Sequence, residues 1–323
     1  MQEHFLRNIE IIDFKCFKNF KAKDFKRVNL ISGKNNVGKT AFMESLYINL
    51  HNKDVPELTF ALDQISYSRD NLEFIGNKKL LDNQKMRIEK NEIYYSISNK
   101  NSIKFEIIEH NAIKEYHFNI NNKETIVNIN NFSYNTVMSA NVLHIDNFGL
   151  TNDNLIYVYE SIQENDKELE LNFLINKFDS NISSFKIIGN NPKCKSLDSE
   201  EYQDINEFGD GLKHYISIIA ALYHCEDGQL FIDEIDNGIH YTLLEKLWEI
   251  IFTISKEVNC QVFATTHSKE MINAFAKVSQ ELKDEDISFI ELGRNKDNEI
   301  KANVYDQEMF LYELNQNHEV RGW

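Results

Sequence analysis

Eight consecutive residues, Gly33-Lys-Asn-Asn-Val-Gly-Lys39-Thr40, fit the pattern G-x-x-x-x-G-K-[ST] in full. The glycines let backbone N–H groups curl around phosphate oxygens. Lys39 can reach β- and γ-phosphates, and the Thr40 hydroxyl can ligate Mg²⁺. Gly33, Asn35, Asn36, Gly38, Lys39 and Thr40 are therefore the candidate phosphate-binding residues. Farther along, Leu230-Phe-Ile-Asp233-Glu234 is an apolar run ending in two acids. Acids at the carboxyl end of a strand lie where open α/β sheets place their ligands. Asp233 can hold Mg²⁺, directly or through water, and Glu234 can polarise an attacking water. Having both acids points to hydrolysis rather than binding alone. His267, in Thr265-Thr-His267-Ser, follows the next predicted strand, where it can contact a γ-phosphate or hold the water.

Gly209-Asp210-Gly211 is a second glycine turn at a predicted helix N-terminus, and so a second candidate anion site. One nucleotide needs one cradle, so this turn is expected to serve a nucleotide on another subunit. Asp236-Asn-Gly238 forms a further turn that could face the same interface. The chain has only 11 glycines, and five of them (33, 38, 209, 211 and 238) lie in these turns. Where glycine is scarce, each one tends to fill a backbone position that needs it, so the turns read as one constellation.

The elements around these residues fit the chemistry. Residues 4–14 and 25–32 read as strands, and the second runs through the glycine loop into a helix over 39–50. Four alternating stretches, Glu92–Ser98, Ile103–Glu109, Glu115–Ile120 and Thr125–Ile129, predict an antiparallel meander. A buried strand is expected at 141–146, with helices at 151–162 and 167–178. From about residue 205 the pattern alternates. A helix to His224 precedes a strand at 229–233, a helix at 242–256, a strand at 260–265 and a helix at 268–278. The tail from Asp286 reads as strand, turn, strand and short helix. Such alternation implies a parallel sheet covered by helices. The expected division is an N-terminal lobe (1–54), an inserted mixed strand and helix arm (55–204) and a C-terminal lobe (205–323).

Composition bounds what the chain can do. Its 323 residues include 35 Lys+Arg against 51 Asp+Glu, a formal charge of −16. That balance excludes coating of DNA or an anionic membrane by the whole surface, though not by a local groove. No apolar run is long enough to span a bilayer, and the N-terminal segment lacks the features of a secretory signal. The four cysteines (16, 194, 225 and 260) are scattered without a C-x-x-C. A reduced, cytoplasmic setting is expected, with no membrane partner. His214, His224 and Cys225 share one predicted helix, but adjacent helical residues point apart, so joint metal ligation is awkward.

In this order the residues resemble an ABC-type ATPase head (a P-loop NTPase) of the RecF, SMC and OLD families. Ile9–Phe20 looks like the short strand and loop that precede the phosphate loop in such heads. Phe208–Leu222 looks like a degenerate signature region. The stretch from Asp227 to Ser268 is similar to the AAA-15/AAA-21 branch of OLD-like ATPases. The likeness covers about 1–50 and 205–323, and the middle matches only as a large mixed α+β insertion. It implies ATP and Mg²⁺ as cofactors and a homodimer or higher homo-oligomer with ATP between heads. Lys39 and Thr40 would bind phosphates and Mg²⁺, Asp233 and Glu234 would be the acid pair, and His267 the switch histidine. Gly209, Asp210 and Gly211 would act in trans. Two departures stand out. Gly209 and Asp210 occupy the place of the usual signature serine, and Gln64 is only a weak match for the glutamine that contacts Mg²⁺. Larger OLD-like proteins add a TOPRIM nuclease. The stretch 268–323 is too short for one beside the head's own last elements, so the chain is expected to be the ATPase half alone. Similar stand-alone heads accompany nucleases in PARIS-, Septu- and retron-associated anti-phage systems. The likeness therefore implies a separate effector, TOPRIM-like or HNH, governed by ATP state.

Three alternatives compete. A GTPase shares the phosphate loop, and Asp146–Gly149 and Asn176–Asp179 match D-x-x-G and N-K-x-D. Those motifs leave Asp233, Glu234 and His267 unused, and the second lies in a predicted helix. A RecF-like DNA-repair or DNA-tethering head would use the basic cluster Lys15, Lys18, Lys21, Lys23, Lys26 and Arg27; charge balancing on a solvated loop is the plainer reading. A scaffold that binds ATP with little turnover would not need Glu234.

Overall fold

The computed structural model describes residues 4–51, 55–74, 87–97, 99–110, 113–120, 123–128, 141–147 and 149–316. The chain opens with an antiparallel hairpin, β1 (Asn8–Phe14) and β2 (Phe17–Lys23), then enters a central sheet at β3 (Val28–Gly33). Helix α1 (Lys39–Leu50) follows the phosphate loop, and α2 (Val55–Phe74) follows α1. Four antiparallel strands, β4 (Arg87–Ile97), β5 (Asn99–His110), β6 (Ile113–Ile120) and β7 (Lys123–Asn128), extend the hairpin into a sheet ordered β2-β1-β4-β5-β6-β7.

Strand β8 (Val142–Ile145) returns to the central sheet. Helices α3 (Asn152–Glu164) and α4 (Glu168–Phe178) lead to a small sheet of β9 (Ile182–Ile188), β10 (Asn191–Ser196) and β11 (Gln203–Asp204). The remaining elements alternate: α5 (Asp210–His224), β12 (Gln229–Ile232), α6 (Leu244–Glu257), β13 (Gln261–Thr265) and α7 (Lys269–Glu281). Strands β14 (Ile287–Arg294) and β15 (Ile300–Tyr305) and helix α8 (Gln307–Asn315) complete the described chain. The central sheet runs β15-β14-β3-β13-β12-β8, parallel throughout except for β15.

Every residue of β3, β12 and β13 is buried, as strands covered on both faces require. Their two-residue alternation divides the side chains between two cores. Leu30, Leu230, Ile232, Val262 and Ala264 join residues of α5, α6 and α7 on one face. Ile31, Phe231 and Phe263 join Phe42 of α1 and Phe17 and Phe20 of the hairpin on the other.

The architecture is the expected α/β head, and the expected helices and strands of 205–316 are present. The meander is also present, although Ser98 and Ile129 lie outside the described residues. The segment 55–204 is shared between sheets rather than set apart. Its β4 pairs with β1 in the register Ile9↔Tyr95 and Ile11↔Ile93, and its β8 pairs with β12. Leu155, Val158 and Ile162 of α3 and Leu171 and Ile175 of α4 lie in the same core as α5. The expected lobe-and-arm division therefore cuts across continuous hydrogen-bonded sheets. Among the described residues, no helix is long and apolar enough to cross a membrane.

Candidate functional site

Strand order brings the candidate residues together. β13 lies between β3 and β12, with Thr265↔Ile31 on one side and Ile232↔Ala264 on the other. Continuing that register sets Asp233 beside Thr265, with the phosphate loop across β13. The Thr265 hydroxyl donates to Asp233 Oδ1, and the Thr40 hydroxyl donates to Asp233 Oδ2 at 3.0 Å. The Glu234 N–H donates to Thr265 Oγ1 at 2.8 Å. Lys39 Nζ donates to the carbonyls of Gly33 (3.1 Å) and Lys34 (3.3 Å) and lies 3.2 Å from His267 Nδ1. Asn35, Asn36, Gly38, Lys39, Thr40, Ala41, Asp233, Glu234 and His267 line one cavity of about 730 Å³.

The loop is shaped for an anion. Gly38, with φ 107°, caps α1 without a side-chain bond, and no acid lies in the first turn. The first N–H groups of α1 are thus left for a ligand. A Cβ on Gly38 would stand 2.6 Å from Cys16 Sγ, because the β1–β2 turn packs against the loop. Lys15 of that turn pairs with buried Glu44 of α1, which holds the turn in place.

The charges are tuned by burial and by one another. Lys39 is only 6% exposed, and burial pulls its ammonium down to about 8 against the opposing pull of Asp233 and Glu234. Burial raises the Glu234 carboxyl, helped by Asp233 and Asp236 and opposed by Lys39. Burial and then Lys39 lower His267, against Asp236 and Asp233. At neutral pH this leaves a charged Lys39 donating to a neutral imidazole at Nδ1, with the ring proton on Nε2. Glu234 sits at φ 48°, a conformation uncommon outside glycine and asparagine, at the head of the turn that carries Asp236.

Gly209, Asp210 and Gly211 do not line this cavity. Gly209 and Asp210 are exposed, and Gly209 caps α5 with no side-chain bond, so this second helix N-terminus also keeps free donors. A Cβ on Gly211 would overlap the Gly238 carbonyl oxygen, so the turn after the acids is packed directly on the elbow.

Sequence reasoning passed over two residues. Thr265 bonds both acids' turn and carboxylate, and Thr266 donates to Asp236 at 2.6 Å. Thr265 ends β13 and Thr266 follows it, and a pair of hydroxyls directly before His267 was the available signal. Gln64 lies on α2 and does not line the cavity. The N-K-x-D match is structural: Asn176 Nδ2 donates to the Ser180 and Ile182 carbonyls, closing α4 onto β9. D-x-x-G follows β8, an edge strand three places from β3, and its Phe148 lies outside the described residues. In the basic cluster, Lys15, Lys18, Lys21, Lys23 and Arg27 all face carboxylates, and Arg27 is buried against Asp284. Five of the six cluster residues thus face an acid of the same chain. No group of three or more His, Cys, Asp or Glu among the described residues is placed to hold a metal.

A family model described as the AAA ATPase domain matches residues 150–272. That span includes the elbow, the acids and His267 but not the phosphate loop, which stands on its own motif and geometry. A Helicobacter pylori (strain ATCC 700392 / 26695) protein named ATP/GTP phosphatase is 27% identical over 330 residues, covering 85% of this chain and 89% of its own. Among solved structures, an Smc head bound to the C-winged helix domain of ScpA is 12% identical with a TM-score of 0.56, covering 95% of this chain and 99% of that one. A Pyrococcus furiosus Smc head with an extended coiled coil, bound to the C-terminal domain of ScpA, is 11% identical with a TM-score of 0.53, covering 98% and 100%. At these identities the structural likeness shows the fold alone, which is that of the Smc heads.

Proposed function

We propose that this chain binds and hydrolyses ATP, and that two copies pair head to head over the nucleotide. The observation that carries this is the convergence of Lys39, Thr40, Asp233, Glu234 and His267 on one cavity. Lys39 and the uncapped N–H groups of α1 would bind the phosphates. Glu234, with its proton affinity raised by burial, would accept a proton from the attacking water. Neutral His267 would orient the γ-phosphate or that water. The Thr40 hydroxyl and Asp233 carboxylate, 3.0 Å apart, are hard oxygen donors that fit Mg²⁺. Mg²⁺ there would neutralise phosphate charge. The uncapped elbow at Gly209–Gly211, which does not line its own cavity, would complete a partner's site.

ATP-set pairing would in turn control a separate effector, a TOPRIM-like or HNH nuclease, in anti-phage defence. This part rests on the likeness to stand-alone OLD-like heads. Phosphate release and light scattering with Mg²⁺-ATP test the reading. Glu234→Gln should keep nucleotide affinity, accumulate as a dimer and lose about 100- to 10,000-fold in turnover. Lys39→Ala should lose nucleotide affinity. Normal turnover in Glu234→Gln would refute the assignment of the base, and a variant that stays monomeric with ATP would remove the pairing reading.

A further inference from the structure

One buried titratable group on the elbow's own helix is left unused by this chemistry. His214 lies one turn into α5 and is 1% exposed. Burial pushes its imidazole down to about 4, so the ring is neutral and carries one N–H and one acceptor nitrogen. Neither nitrogen makes a hydrogen bond among the described residues. The backbone of Ile235 lies against the ring and favours a proton there, but neither ring nitrogen meets hydrogen-bond geometry with it. A buried donor left unsatisfied is costly and rare enough to need a reason.

The surroundings supply one. Ile235 directly follows Glu234, and its N–H donates to the Thr265 carbonyl at 3.0 Å. The elbow packs on the same turn at Gly211 and Gly238. A third segment locks both: Asn237 Nδ2 donates to the Asn147 carbonyl, and the Leu150 N–H donates to Ser217 Oγ of α5 at 3.1 Å. Gly149 lies so close to α5 that a Cβ there would stand 3.2 Å from His214 Cα. The start of α5, the residues Asn147, Gly149 and Leu150 and the turn at 233–238 therefore form one packed unit, with an unmade hydrogen bond inside it.

We propose that His214 is a positioning residue: when the elbow takes up a phosphate, a small shift of α5 closes the His214 bond to the Ile235 carbonyl, and this fixes the backbone that aims Glu234. The proposal rests on the hydrolysis reading above but can be judged apart from it. Wild type, His214→Ala, His214→Asn and His214→Gln would be compared by nucleotide affinity, turnover and amide hydrogen exchange. His214→Ala should leave nucleotide affinity within about threefold and lower kcat by about 10- to 100-fold, the scale of a misplaced catalytic group. Either Asn or Gln, which carry an N–H near one or other ring-nitrogen position, should recover most of that loss. Unchanged kcat in His214→Ala would overturn the proposal. So would an equal loss of kcat and affinity in all three variants, which is what a purely structural core residue gives. Exchange serves even where a variant folds poorly or turnover is absent. In wild type, Mg²⁺-ATP should slow exchange at 210–214 and 234–238 together, and His214→Gln should keep that link. Protection of one segment without the other would overturn the proposal. Failure of wild type to release phosphate would instead count against hydrolysis.

Discussion

The buried ammonium of Lys39 makes nucleotide affinity a reporter of its own protonation. In the free protein the group titrates near 8, against an ordinary 10.5, because burial outweighs Asp233 and Glu234. That displacement corresponds to about 3 kcal/mol of differential cost between the charged and neutral forms. A bound triphosphate adds negative charge beside the ammonium, beyond that of Asp233 and Glu234, and should return the lysine at least to its ordinary value. Below 8 the lysine is already charged and binding takes up no proton. Above 8 it must be protonated on binding, so affinity should fall towards tenfold per pH unit, reaching about 30-fold at pH 9.5. The unliganded fold follows the opposite sense. The unfolded chain keeps this proton up to 10.5 and the folded chain only to about 8. The burial cost is therefore present in full below 8 and fades as pH rises from 8 through 10.5.

The assay is binding of a fluorescent ATP analogue with Mg²⁺ between pH 7.5 and 9.5, with calorimetry in two buffers of different ionisation enthalpy to count protons. His267 is already neutral across that window, and the ATP phosphates are fully ionised. Lys39→Arg provides the control, since a guanidinium does not titrate there and its binding curve should be flat. A flat wild-type curve, or the same slope in Lys39→Arg, would show that Lys39 does not carry the phosphate contact.

Two further substitutions probe the site's supports. Gly211→Ala places a methyl against the Gly238 carbonyl and should destabilise by about 1–3 kcal/mol in chemical unfolding; wild-type stability would mean the elbow and the acid turn do not pack as described. Thr265→Val removes the hydroxyl that bonds Asp233 and accepts from Glu234 N–H, so phosphate release should need more Mg²⁺ for half-maximal rate, and Thr265→Ser should restore it. An unshifted Mg²⁺ curve in Thr265→Val would show that Asp233 is held by other means.

Much of the site was legible because its parts obey local rules. The phosphate loop, the apolar strand before Asp233 and Glu234 and the strand before His267 each show their type within about ten residues. Parallel pairing then leaves few ways to arrange them. The helix at 39–50 and the strands around it follow from the same local pattern. The pairing of β1 with β4 was not legible in this way. It joins residues as far apart as Ile9 and Tyr95, and the alternation of Glu92–Ser98 says only that one face is buried, not against what. The second strand of the hairpin, Phe17–Lys23, was hidden by its lysines. They point to solvent while Phe17, Phe20 and Ala22 face the core, so the segment read as a basic loop. The same lysines suggested a DNA-binding cluster, whereas Lys18 and Lys21 face Asp13 and Glu10 across the hairpin. Cross-strand register decides such pairings, and composition cannot.

The glycine elbow marks the limit of local reading. From sequence, Gly209 and Gly211 looked alike, two glycines opening a helix for an anion. In the fold they answer different constraints. Gly209, at φ 88° with open space where a Cβ would stand, serves the backbone path and leaves donors exposed. Gly211 exists because the backbone of Gly238 occupies the space that a side chain would need. The acid turn is thus pressed against the first residues of the elbow's helix. In the proposed pairing of two heads, that contact would give a partner's phosphate a mechanical route to Glu234 through backbone, which the side-chain types of the acids and the lysine do not reveal.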